Sequence, residues 1–193
     1  MRRLKVMEHL SLDGVVQHSA DDDGFPYPDW TAPYRTPEGR DAVLAAQGAR
    51  FDLLLGRRTY DLWAGFWPKA PSGPMADGIN AATKYVVTHR PEDLAWGPAE
   101  GLGPDVVAGV RRLKAQDGPG LVCWGSSTLT ATLLAHGLAD DVVLVVYPVV
   151  LGTGKRLVAP GAPARALALA GTHALASGVV LSTYTVAGPV QTG

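Results

Sequence analysis

A three-layer α/β fold is predicted from the sequence, with a mainly parallel central sheet, helices on both faces and an antiparallel C-terminal hairpin. Three observations predict it. Short apolar runs alternate with amphipathic segments, as at Phe51–Leu55 before Gly56–Trp63 and at Leu121–Trp124 before Ser126–Leu134. Val142–Leu151 (VVLVVYPVVL) is apolar at every position, the pattern of a strand covered on both faces in the middle of such a sheet. Its ten residues are too few to cross a bilayer. Ala166–Ala176 and Val179–Ala187 are β-prone runs joined by Ser177-Gly178, which signals a hairpin.

Length and composition narrow the class. The 193 residues suit one domain, 1–193, with at most a large loop. A hydrophobic content of 47% with 18% charged residues suits a globular chain that buries a core, and a net charge of −1 gives no reason to expect a nucleic-acid surface. The single cysteine, Cys123, excludes an intramolecular disulfide and stands in an apolar run, where a thiol serves as a small core residue. The opening MRRLKVMEHLSLDG lacks an apolar stretch of signal length, so a cytoplasmic protein without a membrane segment is expected.

Along the chain, Arg3–Leu10 forms a first strand closed by the turn chemistry of Ser11-Leu12-Asp13-Gly14. Residues 15–37 carry five Gly or Pro residues together with Phe25, Tyr27, Trp30 and Tyr34, a long loop whose aromatics either wall a flat substrate or pack it onto the core. Glu38–Arg50 is a helix with Pro37 at its start, Phe51–Leu55 a buried strand, and Met75–Ala82 a short helix. Lys84–Thr88 is a strand ending in Thr88-His89-Arg90 before Pro91, and Pro104–Gln116 is an amphipathic helix with a solvated basic face. Pro148 cannot donate to a ladder, so the last parallel strand is interrupted or at an edge there.

Two strand-glycine-helix junctions stand out. Gly125-Ser126-Ser127-Thr128 and Gly56-Arg57-Arg58-Thr59 each bring a glycine, hydroxyls or guanidinium groups to the start of a helix. Unpaired N–H groups and the positive end of the dipole make such a start suited to a phosphate, and a glycine admits the anion close to the backbone. Ordinary capped turns and a solvated arginine pair are the alternatives. The Thr88-His89-Arg90 cluster would join them where ligands collect in α/β sheets, at the carboxyl ends of strands.

Five segments in this order, SLDG (11–14), LLLGRRTYDLW (53–63), KYVVTHR (84–90), WGSSTL (124–129) and YPVVLGTGKRL (147–157), resemble the dihydrofolate reductase superfamily. The likeness is greatest to the branch holding the reductase domain of bacterial riboflavin biosynthesis, the RibD C-terminal domain, and covers nearly the whole chain. It implies a dihydrofolate reductase-like sheet, NADPH as cofactor, no metal, a small-molecule substrate and a homodimer. By motif position, Gly56, Arg57, Arg58 and Thr59 would meet cofactor phosphates at one helix start. Gly125, Ser126, Ser127 and Thr128 would hold the pyrophosphate at the other, and Thr88, His89 and Arg90 would surround the 2′-phosphate.

The implied function is an NADPH-dependent oxidoreductase acting on a small polar heterocycle or carbonyl, resembling 5-amino-6-(5-phosphoribosylamino)uracil reductase. Trp30 and Tyr34 would bind the substrate, and Asp13, Glu38 and Asp41 are candidates for the proton source. Arg40 stands near the position where true dihydrofolate reductases carry a buried acid. The alternatives are a nucleotide-binding protein of the same fold without turnover and a dihydrofolate reductase.

Overall fold

The computed structural model describes residues 1–18, 24–158 and 161–193. Among the described residues, eight strands form one sheet in the order β4-β3-β2-β5-β1-β6-β8-β7. They are β1 (Leu4–Ser11), β2 (Phe51–Gly56), β3 (Lys84–Val87), β4 (Ala99–Gly101), β5 (Gly120–Trp124), β6 (Asp141–Tyr147), β7 (Ala166–Ala174) and β8 (Val180–Gly188). The first six named in sheet order are parallel, while β8 runs antiparallel to β6 and β7 antiparallel to β8. The α/β class and the closing hairpin are therefore as the sequence predicts. Gly178, at φ +85°, makes the turn of that hairpin, where its N–H bonds the Leu175 carbonyl at 2.9 Å.

Alternation along the strands sends side chains into two apolar layers. On one face Met7, Leu53, Leu55, Val122, Val143 and Val145 pack with Val43, Tyr60 and Ile79 from α1 (Pro37–Gln47), α2 (Arg57–Phe66) and α3 (Pro74–Ala81). On the other, Leu4, Val6, Leu54, Leu121 and Cys123 pack with α4 (Val106–Ala115) and α5 (Ser127–Ala135) through Val110, Leu113, Leu129 and Leu133. The Cys123 thiol lies inside this second layer, and burial pushes its pKa far above the ordinary value.

Two elements differ from expectation. β4 is too short and polar to carry a strand signal, yet it pairs with β3 at the sheet edge. The last parallel strand ends at Tyr147, as the expected interruption at Pro148 allows, but its Leu144 and Val146 are only half-buried and not covered on both faces. Among the described residues no helix is long and apolar enough to cross a membrane.

Candidate functional site

The parallel strands deliver their carboxyl ends to one edge, and the helices that follow them start there. α1 and α4 are capped conventionally: Thr36 accepts from the Gly39 N–H at 3.0 Å and Asp105 from the Ala108 N–H at 2.9 Å. α2 and α5 have no side-chain cap. Gly125 at φ +60° and Ser126 at φ +64° take consecutive left-handed conformations between β5 and α5. Ser126 pays strain there, since a Cβ in this region crowds the following carbonyl.

The two junctions are joined directly. Ser126 Oγ accepts from the Gly56 N–H at 3.1 Å and lies 2.5 Å from the Thr59 hydroxyl. Gly56 must be glycine for this contact, because a Cβ there would stand 2.6 Å from Ser126 Oγ. A Cβ on Gly125 would meet only the Thr59 side chain, at ordinary contact distances of 3.6 and 3.7 Å. A cavity of about 660 Å³ is lined by both helix starts, Gly56–Thr59 and Gly125–Leu129, and by Glu8, Val87 and Lys155.

A second cavity of about 640 Å³ adjoins it, walled largely by aromatic and aliphatic groups that include Trp67, Trp124, Tyr147 and Leu181. Both linings contain His9, His18, Arg35 and Trp63, so the two spaces meet at these side chains. The imidazole of His9 is stacked on Trp124, with centroids 5.3 Å apart, and its Nδ1 is 2.8 Å from the Tyr147 hydroxyl. His18 stacks on Trp30 at 4.9 Å. Burial, then the neighbouring His18 and Arg35, hold the His9 pKa down to about 3. For His18 burial lowers it to about 4, so both rings are neutral at neutral pH.

Glu8 is the polar surprise of β1. It is 3% exposed, and its Oε1 lies 2.8 Å from the Thr130 hydroxyl. Burial raises its pKa from 4.5 to about 8, so it is held as the neutral acid at pH 7.

The residues singled out from sequence are divided by the fold. Gly56, Arg57, Arg58, Thr59, Gly125, Ser126, Ser127 and Thr128 converge on the first cavity. Arg57 is already engaged: it chelates Asp61 at 2.9 and 3.0 Å and donates to the Arg90 carbonyl at 2.9 Å, pinning the segment after β3 onto α2. Thr88 is buried and its hydroxyl accepts from the Arg90 N–H at 3.0 Å, while Arg90 reaches outward to Asp93 at 4.0 Å. Neither lines the cavity, and nor does His89, because the chain turns away after Val87.

Tyr34 lines the second cavity, whereas Trp30 stands one layer back, its indole N–H bonded to the Gln17 carbonyl at 2.8 Å. The carboxylates nominated as proton sources do not reach either space. Asp13 accepts from the Ser11 hydroxyl at 2.6 Å and from the N–H groups of Leu151 and Gly152 at 3.1 and 2.9 Å. Those bonds hold its carboxyl well below the usual range, an ionised clamp between two loops and a poor proton donor. Glu38 is exposed opposite His173, and Asp41 is exposed beside Arg40. Glu8, His9, His18, Arg35, Trp63 and Tyr147 were missed from sequence. The available signal was Glu8-His9 itself, two adjacent polar residues between Met7 and Leu10 near the carboxyl end of the first strand.

Comparison with known proteins adds three kinds of likeness. The RibD C-terminal domain family profile matches residues 4–181. An uncharacterised protein of Bacillus subtilis (strain 168), YyaP, is 28% identical over 136 residues, which cover 68% of this chain and 72% of the relative. A putative riboflavin biosynthesis protein from Shewanella sp. PV-4 shares the fold with a TM-score of 0.72 at 17% identity, over 95% of this chain and 98% of that one. A dihydrofolate reductase from Enterococcus faecalis, solved with NADP(H), shares it with a TM-score of 0.62 at 12% identity, each chain covered to 96%.

Proposed function

Because the chain belongs to the RibD C-terminal domain family, we propose that it is an NADPH-dependent reductase of a small, flat carbonyl or heterocyclic compound. The carrying observation is the pair of adjoining cavities, one lined by two uncapped helix starts, the other aromatic, with His9, His18, Arg35 and Trp63 common to both. A dinucleotide needs an anion cradle at its middle and a dry, flat seat beside its nicotinamide. The first cavity offers the cradle in Gly125–Thr128 and Gly56–Thr59, and the junction offers the seat.

The residues present fit the cofactor. A Cβ on Gly125 would project into space bounded only by Thr59, which leaves room for an anion against the backbone. Arg58, which lines the cavity beside Arg57, would meet phosphate charge. When bound, the reduced nicotinamide supplies the hydride. The chain itself orients the two partners, excludes water through Trp63, Trp124 and Tyr147, and carries polar hydrogen at their meeting point.

Arg40, near the position where dihydrofolate reductases carry an acid, lines the second cavity. A guanidinium there disfavours the amidine-like edge of a pterin and favours a carbonyl or anionic group. Thermal unfolding with and without nucleotide tests the reading. At a hundredfold excess over Kd, NADPH adds about 2.7 kcal/mol, a rise of roughly 5–11 °C, and NADH less. No shift with either nucleotide would remove the cofactor assignment.

A further inference from the structure

Reduction of a carbonyl requires a proton as well as a hydride, and the acids expected to provide it lie elsewhere: Asp13 is a clamp, and Glu38 and Asp41 are at the surface. We propose that Tyr147 and His9 form the proton-delivery pair of this reductase, His9 handing its ring proton to the substrate oxygen while Tyr147 replenishes it. The inference rests on the reductase reading and deepens it.

Four features of the geometry carry it. His9 stands at the meeting of the two cavities, where a substrate carbon would lie against a nicotinamide, and Tyr147 lines the second cavity. Their 2.8 Å contact uses Nδ1, which leaves Nε2 as the ring nitrogen for a ligand. Both rings are held in place: His9 on Trp124, and Tyr147 by the edges of Trp30 and Tyr34 at 5.3 and 5.9 Å. Arg35 lines both cavities, and its positive charge acts on His9 and Tyr147 alike.

The step balances. A neutral imidazole holds one proton, and when the Tyr147 O–H donates to Nδ1 that proton is on Nε2. Hydride addition at the carbonyl carbon leaves an oxyanion. The Nε2–H bond breaks as the substrate O–H bond forms, and the Tyr147 O–H bond breaks as Nδ1–H forms. His9 ends neutral with its tautomer exchanged, and the phenolate of Tyr147 sits in the field of Arg35 until the Nδ1 proton returns to it as water protonates Nε2, which restores the starting tautomer. Burial raises the Tyr147 pKa to about 12, and the Arg35 charge acts against that rise.

The test uses the full chain and the variant Tyr147→Phe, which keeps the ring that packs against Trp30 and Tyr34. NADPH affinity is measured by nucleotide fluorescence. Turnover is followed with 4-nitrobenzaldehyde and 9,10-phenanthrenequinone in light and heavy water. Nitrogen-edited NMR of the nucleotide-free protein reads the His9 tautomer. The expected result is unchanged NADPH affinity, a loss in kcat on the order of a hundredfold or more, loss of the solvent isotope effect, and a His9 ring protonated on Nε2 only while the Tyr147 hydroxyl is present. If the parent binds NADPH and reduces a probe, and Tyr147→Phe keeps both its rate and its isotope effect, the pair is overturned and the reductase reading stands. A His9 protonated on Nδ1 in the parent would overturn it equally. If the parent neither binds NADPH nor reduces either probe, the reductase reading fails and takes this proposal with it.

Discussion

Replacing Glu8 by glutamine isolates one titratable group that lines the first cavity. Glutamine keeps the shape and can still accept from Thr130, whose hydroxyl lies 2.8 Å from Glu8 Oε1, but it cannot ionise. Burial lifts the Glu8 pKa from 4.5 to about 8 in the fold. The native state therefore binds one more proton than the unfolded chain between those values. The stabilising contribution is fully present below the unfolded value and is lost as pH rises through the folded one.

Each pH unit in that window removes about 1.4 kcal/mol. From about pH 6.5 to about pH 9 the parent should lose about 2 kcal/mol through this group, or roughly 4–8 °C in Tm for a chain of this size. Lys84, whose pKa burial lowers from 10.5 to about 8, acts with the opposite sign at the upper end of the range. It is common to both proteins, so the difference between the Glu8→Gln and parent unfolding curves at each pH cancels it. The variant should gain on the parent steadily from about pH 6.5 and level off above about pH 8. A flat difference would mean that Glu8 is not held protonated, and that the Thr130 contact is a surface-like hydrogen bond.

Three further outcomes are expected. Gly125→Val should remain folded, at a cost of about 2 kcal/mol or somewhat more for a β-branched residue at positive φ, and should lose NADPH binding in a nucleotide titration. Ser126→Ala should bind more weakly and also unfold more easily, by about 1–3 kcal/mol, because its hydroxyl bonds the Gly56 N–H and Thr59; unchanged binding by Gly125→Val would reduce the glycine to a turn residue. The chain is expected to be a homodimer through β7, whose residues are exposed along nearly the whole edge and include Leu167 and Leu169 without a Lys, Glu or Pro to discourage pairing. Light scattering should give twice 20.2 kDa, and Leu169→Lys should give the single-chain mass; a parent of single-chain mass would contradict this.

The sheet was legible because apolar runs and glycine stops are local. Phe51–Leu55 before Gly56 and Leu121–Trp124 before Gly125 announce their own strands and the helices that follow. The same locality marks the two junctions that converge on the first cavity, since each strand-glycine-helix junction is contiguous in sequence. What was not legible depends on pairs far apart along the chain. Tyr147 and His9 are 138 residues apart, and their contact exists only because β6 lies beside β1. Asp13 is a candidate proton source by sequence, yet its partners Leu151 and Gly152 arrive from 138 and 139 residues further along the chain. Ser126 was assigned to a ligand, and its hydroxyl is used to tie the two junctions together. A strand as short and polar as β4 gives no periodic signal, and it forms because β3 offers a free edge.

In the proposed complex a pyridine dinucleotide spans the first cavity with its nicotinamide at the side chains shared with the second. Intermolecular nuclear Overhauser effects between bound NADP⁺ and selectively labelled protein test this most directly. The nicotinamide ring protons should show effects to the rings of His9 and Trp63, and the adenine protons none to either. Saturable binding with adenine, and not nicotinamide, beside His9 and Trp63, or with neither ring near them, would contradict that placement.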